Sequence, residues 1–162
     1  MLFMKMAQAR EARKDNKGFS LVELIIVIAI MVALVAMLAP QFVKYVSKSR
    51  DAVISSAAED VLATAKSEFA LTNLQFTNIQ TTTAGTIKIG ANNDGKLTVV
   101  LDSTNLKYCS GDGTSFVEQC GVDSSKSTQS KLVYQITITN NSGSPTFEMK
   151  SNNDDATITL GS

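Results

Sequence analysis

The sequence predicts an α+β chain: one long N-terminal helix, apolar in its first half and amphipathic in its second, packed on a C-terminal antiparallel β-sheet head. Three observations carry this. Leu24 to Ala39 reads LIIVIAIMVALVAMLA without a polar side chain. From Val46 to Phe69 apolar residues return at intervals near three and four, the period of one helix face. After Asn73 the composition shifts to Thr, Asn, Gly and Ser with β-branched alternation, the pattern of strands joined by tight turns. The expected boundaries are a basic leader at 1–18, an apolar span at 19–40, its amphipathic continuation at 41–73 and the sheet head at 74–162.

The leader carries Lys5, Arg10, Arg13, Lys14 and Lys17 against Glu11 and Asp15, a net excess of positive charge. Phe19 to Ala39, as a helix rising ~1.5 Å per residue, reaches roughly 32 Å, close to the ~30 Å of a bilayer's hydrocarbon core. Basic residues beside a membrane span are retained on the inner side, so the N-terminus is expected to be cytoplasmic and everything after Pro40 to face outward. Two other readings stand beside this. A buried helix of a soluble domain would need more protein around it than a 162-residue chain offers. A secretory signal peptide would need small residues two apart at its end, whereas Ala33, Ala36 and Ala39 are three apart and Pro40 follows.

The residues directly before the apolar run, Lys17-Gly18-Phe19-Ser20-Leu21-Val22-Glu23, carry a family pattern. The string KGFSLVELIIVIAI resembles the class III signal and N-terminal segment of type IV pilins and related pseudopilins, over about Lys17 to Tyr45 and with Pro40 at the matching position. The resemblance implies that a prepilin peptidase cuts after Gly18 on the cytoplasmic face and that Phe19 becomes the N-methylated mature N-terminus. It also implies self-assembly through the N-terminal helix into an extracellular helical filament, served by assembly machinery in the membrane. Adhesion and twitching motility are functions such filaments serve.

Each of these residues also has a physical reading. Gly18 has no Cβ and lets the backbone lie close to a protease; a hinge is the plainer reading. Cleavage unmasks an α-amine at Phe19, largely cationic at neutral pH. Glu23, four residues on, is costly in hydrocarbon unless a cation meets it. Its own helix N-terminus and amine supply one candidate partner. The family supplies another, the Phe19 amine of a neighbouring subunit. Pro40 removes the helix hydrogen bond to Ala36 and is expected to kink the helix, or else to mark the outer membrane boundary. In the family this region loosens within the filament.

The helix is expected from Phe19 to about Thr72, with Val46, Val53, Ile54, Ala57, Ala58, Val61, Leu62, Ala65 and Phe69 facing the head. Strands are expected at Thr86 to Ile89, Lys96 to Leu101, Lys131 to Thr139, Thr146 to Lys150 and Ala156 to Leu160. Turns are expected at Asn92-Asn93-Asp94-Gly95 and at Asn140 to Ser144, and Thr81 to Thr86 reads as a connecting loop. Cys109 and Cys120 bound the turn-rich stretch CSGDGTSFVEQC. In an outward compartment they are expected to form a disulfide contributing about 3 kcal/mol, with two reduced or separately buried thiols as the other reading.

Composition excludes several chemistries. The chain has no His, two Cys, and 15 Lys+Arg against 15 Asp+Glu. Without His there is no Ser-His-Asp triad, Cys-His couple or mixed zinc site. Zero net charge and scattered lysines without interleaved aromatics give no track for nucleic acid. Asn92, Asn93, Asp94 and Asp112 offer oxygen ligands but lack calcium-loop spacing and read as turns, and Asp154-Asp155 reads as a solvated loop. No catalytic site, cofactor or metal is expected. The function expected is that of a type IV pilus subunit, most simply the major pilin. The alternatives are a minor pilin, a secretion pseudopilin, a membrane-anchored binding domain that does not polymerise, and, more remotely, a secreted enzyme.

Overall fold

The computed structural model describes residues 18–78, 84–111, 114–125, 129–141 and 144–160. The leader before Gly18, the Thr81–Thr83 part of the expected loop, Asp112 and the middle of the expected turn at 142–143 lie outside the described residues. Among them the chain is α+β: a long helix, α1 (Leu21–Ala70), and a short one, α2 (Phe116–Gln119), with six strands. The strands are β1 (Leu74–Phe76), β2 (Ala84–Ala91), β3 (Leu97–Leu101), β4 (Leu106–Tyr108), β5 (Val133–Asn141) and β6 (Ser144–Ser151). Two units divide the chain, one ending at Val43 and the other beginning at Lys44.

In the first unit, α1 opens where the Ser20 carbonyl accepts the Leu24 N–H at 3.2 Å. Every described residue from Gly18 to Val43 is exposed. Helix assignment is unbroken through Pro40, although its ring nitrogen has no proton to donate.

In the second unit the rest of α1 buries Ile54, Ala57, Ala58, Val61, Ala65 and Glu68, a stripe at helical spacing. Four of the expected face residues are only partly covered: Val46, Leu62 and Phe69 are half-buried and Val53 is exposed. The stripe joins Ile87, Ile89, Val99, Ile136 and Ile138 of the sheet in one core cluster. Alanines on the helix let the bulky isoleucines of the sheet come close, and Tyr134 OH reaches Ser55 Oγ at 3.3 Å.

α1 stops by satisfying its own last carbonyls. Asn73 N donates to Glu68 O at 3.0 Å and Thr72 N to Phe69 O at 3.2 Å, the two bonds of a Schellman closure. The residue that turns the chain, Thr72, has φ 64, a left-handed conformation that a β-branched side chain resists. Thr72→Gly is therefore expected to raise head stability by about 1 kcal/mol. A urea or thermal midpoint that stays put or falls would reject that account of the turn.

The main sheet has the order β3-β2-β5-β6 and is antiparallel throughout; β1 and β4 form a separate two-stranded ribbon. The register sets Ile87 opposite Leu101 and Ile136, and Ile136 opposite Met149, so one face is apolar while Lys88, Gln135, Thr137 and Lys150 fall on the other. The β2–β3 turn comes from Asn92, whose Oδ1 accepts Asp94 N at 3.0 Å and Lys96 N at 2.9 Å, and from Gly95 at φ 75. Gly85 is required by packing: a Cβ there would overlap Leu106 of the ribbon, itself fully buried. On the outer strand β6, Thr146, Glu148 and Lys150 are exposed, and Lys150 Nζ lies 2.9 Å from Glu148 Oε1.

The expected strand at Ala156 to Leu160 is not formed. Hydrogen bonds from Ser151 N (3.1 Å) and Oγ (2.7 Å) close a turn on Asp154 Oδ2, and Thr157 N closes another on Asp155 Oδ1 at 2.9 Å. These bonds also hold both carboxyls below the usual carboxylate range. Side-chain oxygens thus take the backbone donors that a strand would offer a neighbour. Ile158 is nevertheless buried, as is Val133, both outside the main core cluster, and Gly90 leaves room for Leu160 beside Val133.

Candidate functional site

The expected functional residues at the N-terminal end are Gly18, Phe19, Glu23 and Pro40. Gly18 is exposed, and a Cβ added there would meet nothing within 4 Å. Among the described residues nothing in the packing demands a glycine there. Phe19 is 83% exposed just before the helix. Glu23 sits in the first turn of α1, exposed and without an ion pair or side-chain hydrogen bond among the described residues. Three residues after Ser20, it lies in the spacing of a capping box and near the positive end of the helix dipole. An α-amine at Phe19 would lie about 6 Å away along the axis.

Beyond Glu23 the large apolar residues from Leu24 to Leu38 are each between 47% and 71% exposed. None of the most apolar stretch of α1 is buried, and the helix is long and apolar enough to cross a membrane. The described residues do not cover this surface, which counts against the reading of a core helix in a soluble domain. An apolar surface of this extent is stable only in lipid or against other protein.

The cysteines differ from expectation. Both are free, Cys109 exposed and Cys120 buried, so the expected disulfide is absent from the structure. The fold holds the two thiols in different settings. Cys109 N donates to Asn73 O at 2.7 Å, extending the β1–β4 ribbon. Cys120 closes α2 and belongs to the core cluster. Burial, with the Glu68 charge adding to it, pushes the Cys120 thiol up to about 12. It stays protonated, and hence a poor nucleophile, at physiological pH.

Sequence reasoning missed two arrangements around it. Ser115 N donates to Glu118 Oε2 at 2.9 Å and Glu118 N to Ser115 Oγ at 3.3 Å, a capping box that starts α2 and buries Phe116. The Ser-x-x-Glu spacing within the cysteine-bounded stretch was the available signal. Glu68, only 4% exposed, accepts Asn73 Nδ2 at 2.9 Å and Tyr108 OH at 3.3 Å. Its signal was its place on the apolar stripe, three residues after Ala65 and seven after Val61.

Other candidates are structural. Asn92, considered as an oxygen ligand, spends Oδ1 on two backbone N–H groups. A groove of about 430 Å³ runs between α1 and the segment after α2, lined by Val53, Ala57, Asp60, Leu97, Cys120 and Asp123. Its thiol is the protonated Cys120, so the groove offers no activated sulfur nucleophile.

Comparison with known families bears on the N-terminal end. Residues 13–39 match the prokaryotic N-terminal methylation motif, the class III signal of type IV pilins. The match covers the N-terminal segment alone, and the motif is one that precursors of type IV pilin-like and pseudopilin type carry, which supports that class for this end of the chain. Searches of curated proteins and of solved structures give no match.

Proposed function

We propose that this chain is the precursor of a type IV pilus subunit, cleaved between Gly18 and Phe19, N-methylated at Phe19 and polymerised through α1 with the sheet head outermost. The reading rests on one conjunction: the methylation motif at residues 13–39 runs into α1, whose first half is exposed among the described residues. Before assembly that half spans the membrane with the leader on the cytoplasmic side, as the leader's positive charge favours. In the filament the same apolar surface packs against other copies, and Glu23 meets the Phe19 amine of a neighbour. Pro40 lets the helix loosen there. The chain serves as the major pilin of a filament used for adhesion or motility.

Mass spectrometry of the purified mature chain, together with electron microscopy of sheared surface material, tests this. The expected result is a start at methylated Phe19 in the main component of the filaments. A start near Pro40 would instead make the protein a secreted one. A start at Phe19 with the chain always monomeric in the membrane would make it an anchored binding domain.

A further inference from the structure

From Lys44 onward, α1 carries a row of charges with no ion pair among the described residues. Lys44, Lys48 and Glu59 are exposed, and none makes an ion pair among the described residues. At 3.6 residues per turn, Lys48 and Glu59 fall within about 20° of each other around the helix and about 17 Å apart along it, with Lys44 one turn before Lys48. Lys48 and Glu59 lie on a flank of the helix about 80–160° round from the buried Ile54, Ala58, Val61 and Ala65, and Lys44 lies nearer the margin of that stripe, about 40° from Ala58. Beyond the exposed Tyr45, the exposed residues beside Lys48 and Glu59 on this flank, Ala52, Ser56 and Ala63, are small and leave room there for a second helix to approach.

The order of charge along this face selects a partner. Against a parallel copy of the same helix at equal height, lysine would meet lysine and glutamate would meet glutamate, a juxtaposition that costs free energy. A displacement of eleven residues brings Lys48 level with Glu59 of the other copy and Lys44 one turn from it, while Lys66 meets the neutral Ser55. We propose that this face is a docking surface for a second copy of the chain, with Lys44 and Lys48 of one copy meeting Glu59 of the next at an axial stagger of about 17 Å. It rests on the reading that copies polymerise through α1, and it adds a register contact outside the apolar half, separate from Glu23.

The test uses the full-length chain in its own host, scoring sheared filament yield beside the unfolding midpoint of each variant in detergent. Lys48→Glu and Glu59→Lys are each expected to lower the yield about tenfold with the midpoint unchanged, since both side chains are exposed. Lys48→Glu combined with Glu59→Lys is expected to return the yield to within about twofold of the unchanged chain, because the pair is restored with its signs exchanged. Full yield from either single variant overturns the proposal, and so does a double variant that stays low. If Lys48→Glu instead only weakens retention of the chain on vesicles containing anionic phospholipid, the lysines serve lipid headgroups and the proposal also falls. An unchanged chain that forms no filaments defeats the polymer reading itself, whereas normal filaments indifferent to charge reversal defeat this proposal alone.

Discussion

A Glu23→Ala chain is expected to enter the membrane and lose its leader as the unchanged chain does, yet to yield few filaments. On the proposed reading, cleavage depends on Gly18 and its surroundings. Insertion depends on the apolar run and becomes easier without a carboxylate, which costs about 2.5–3.5 kcal/mol at a bilayer centre and less near the interface. Assembly is different. An amine at Phe19 carried into an apolar filament interior without its acid is a buried unpaired charge, at about 3–5 kcal/mol per contact. Since 1.4 kcal/mol is a factor of ten, subunit association should weaken at least about a hundredfold. Glu23→Asp, which keeps the charge on a shorter side chain, should recover part of the loss. Immunoblots of precursor and mature bands beside sheared filament yield separate the steps, and normal filaments from Glu23→Ala would remove the carboxylate from the mechanism.

The second large effect belongs to the head. Glu68→Ala should destabilise it by about 2–4 kcal/mol, because the Asn73 amide and the Tyr108 hydroxyl would both lose the Glu68 Oε2 acceptor in a buried place. The loss also strikes where α1 turns into β1, since Asn73 bonds to the Glu68 carbonyl and accepts from Cys109. Glu68→Gln keeps an acceptor oxygen and should cost less than half as much. Denaturant unfolding of the full chain in detergent reads the difference. A change in Glu68→Ala below about 0.5 kcal/mol, the range of an ordinary surface substitution, would show that the three side chains do not act together.

The long helix was legible because its signals are dense: a run without polar residues, then a stripe repeating from Ile54 to Phe69, and no glycine between Leu21 and Ala70. Four strands were legible from alternation, with ends displaced by at most two residues, and Asn92 to Gly95 from turn chemistry. Short elements escaped. β1 and β4 have three residues each, too few to show a period, and exist because they pair with each other and because Gly85 makes room for Leu106. The stretch from Ala156 alternates like a strand, but the aspartates before it capture the backbone, a local competition that periodicity does not register. At the N-terminal end the methylation motif was legible as one contiguous string, Lys17 to Glu23 and the apolar run after it. The cysteines show the opposite limit: compartment and spacing suggested a bond, but which thiol the core buries depends on α2, an element not foreseen.

The free border of β6 bears on life in a crowd. The residues of β6 whose backbone groups turn away from β5 offer donors and acceptors to any passing strand, the invitation by which unrelated β-proteins zip into ribbons. Glu148 and Lys150 stand on that strand, paired with each other and wet, and an incoming strand would have to strip their water to lie flush. Heads held at very high local density are thereby discouraged from fusing side by side, which leaves the geometry of any ordered array to contacts made elsewhere on the molecule.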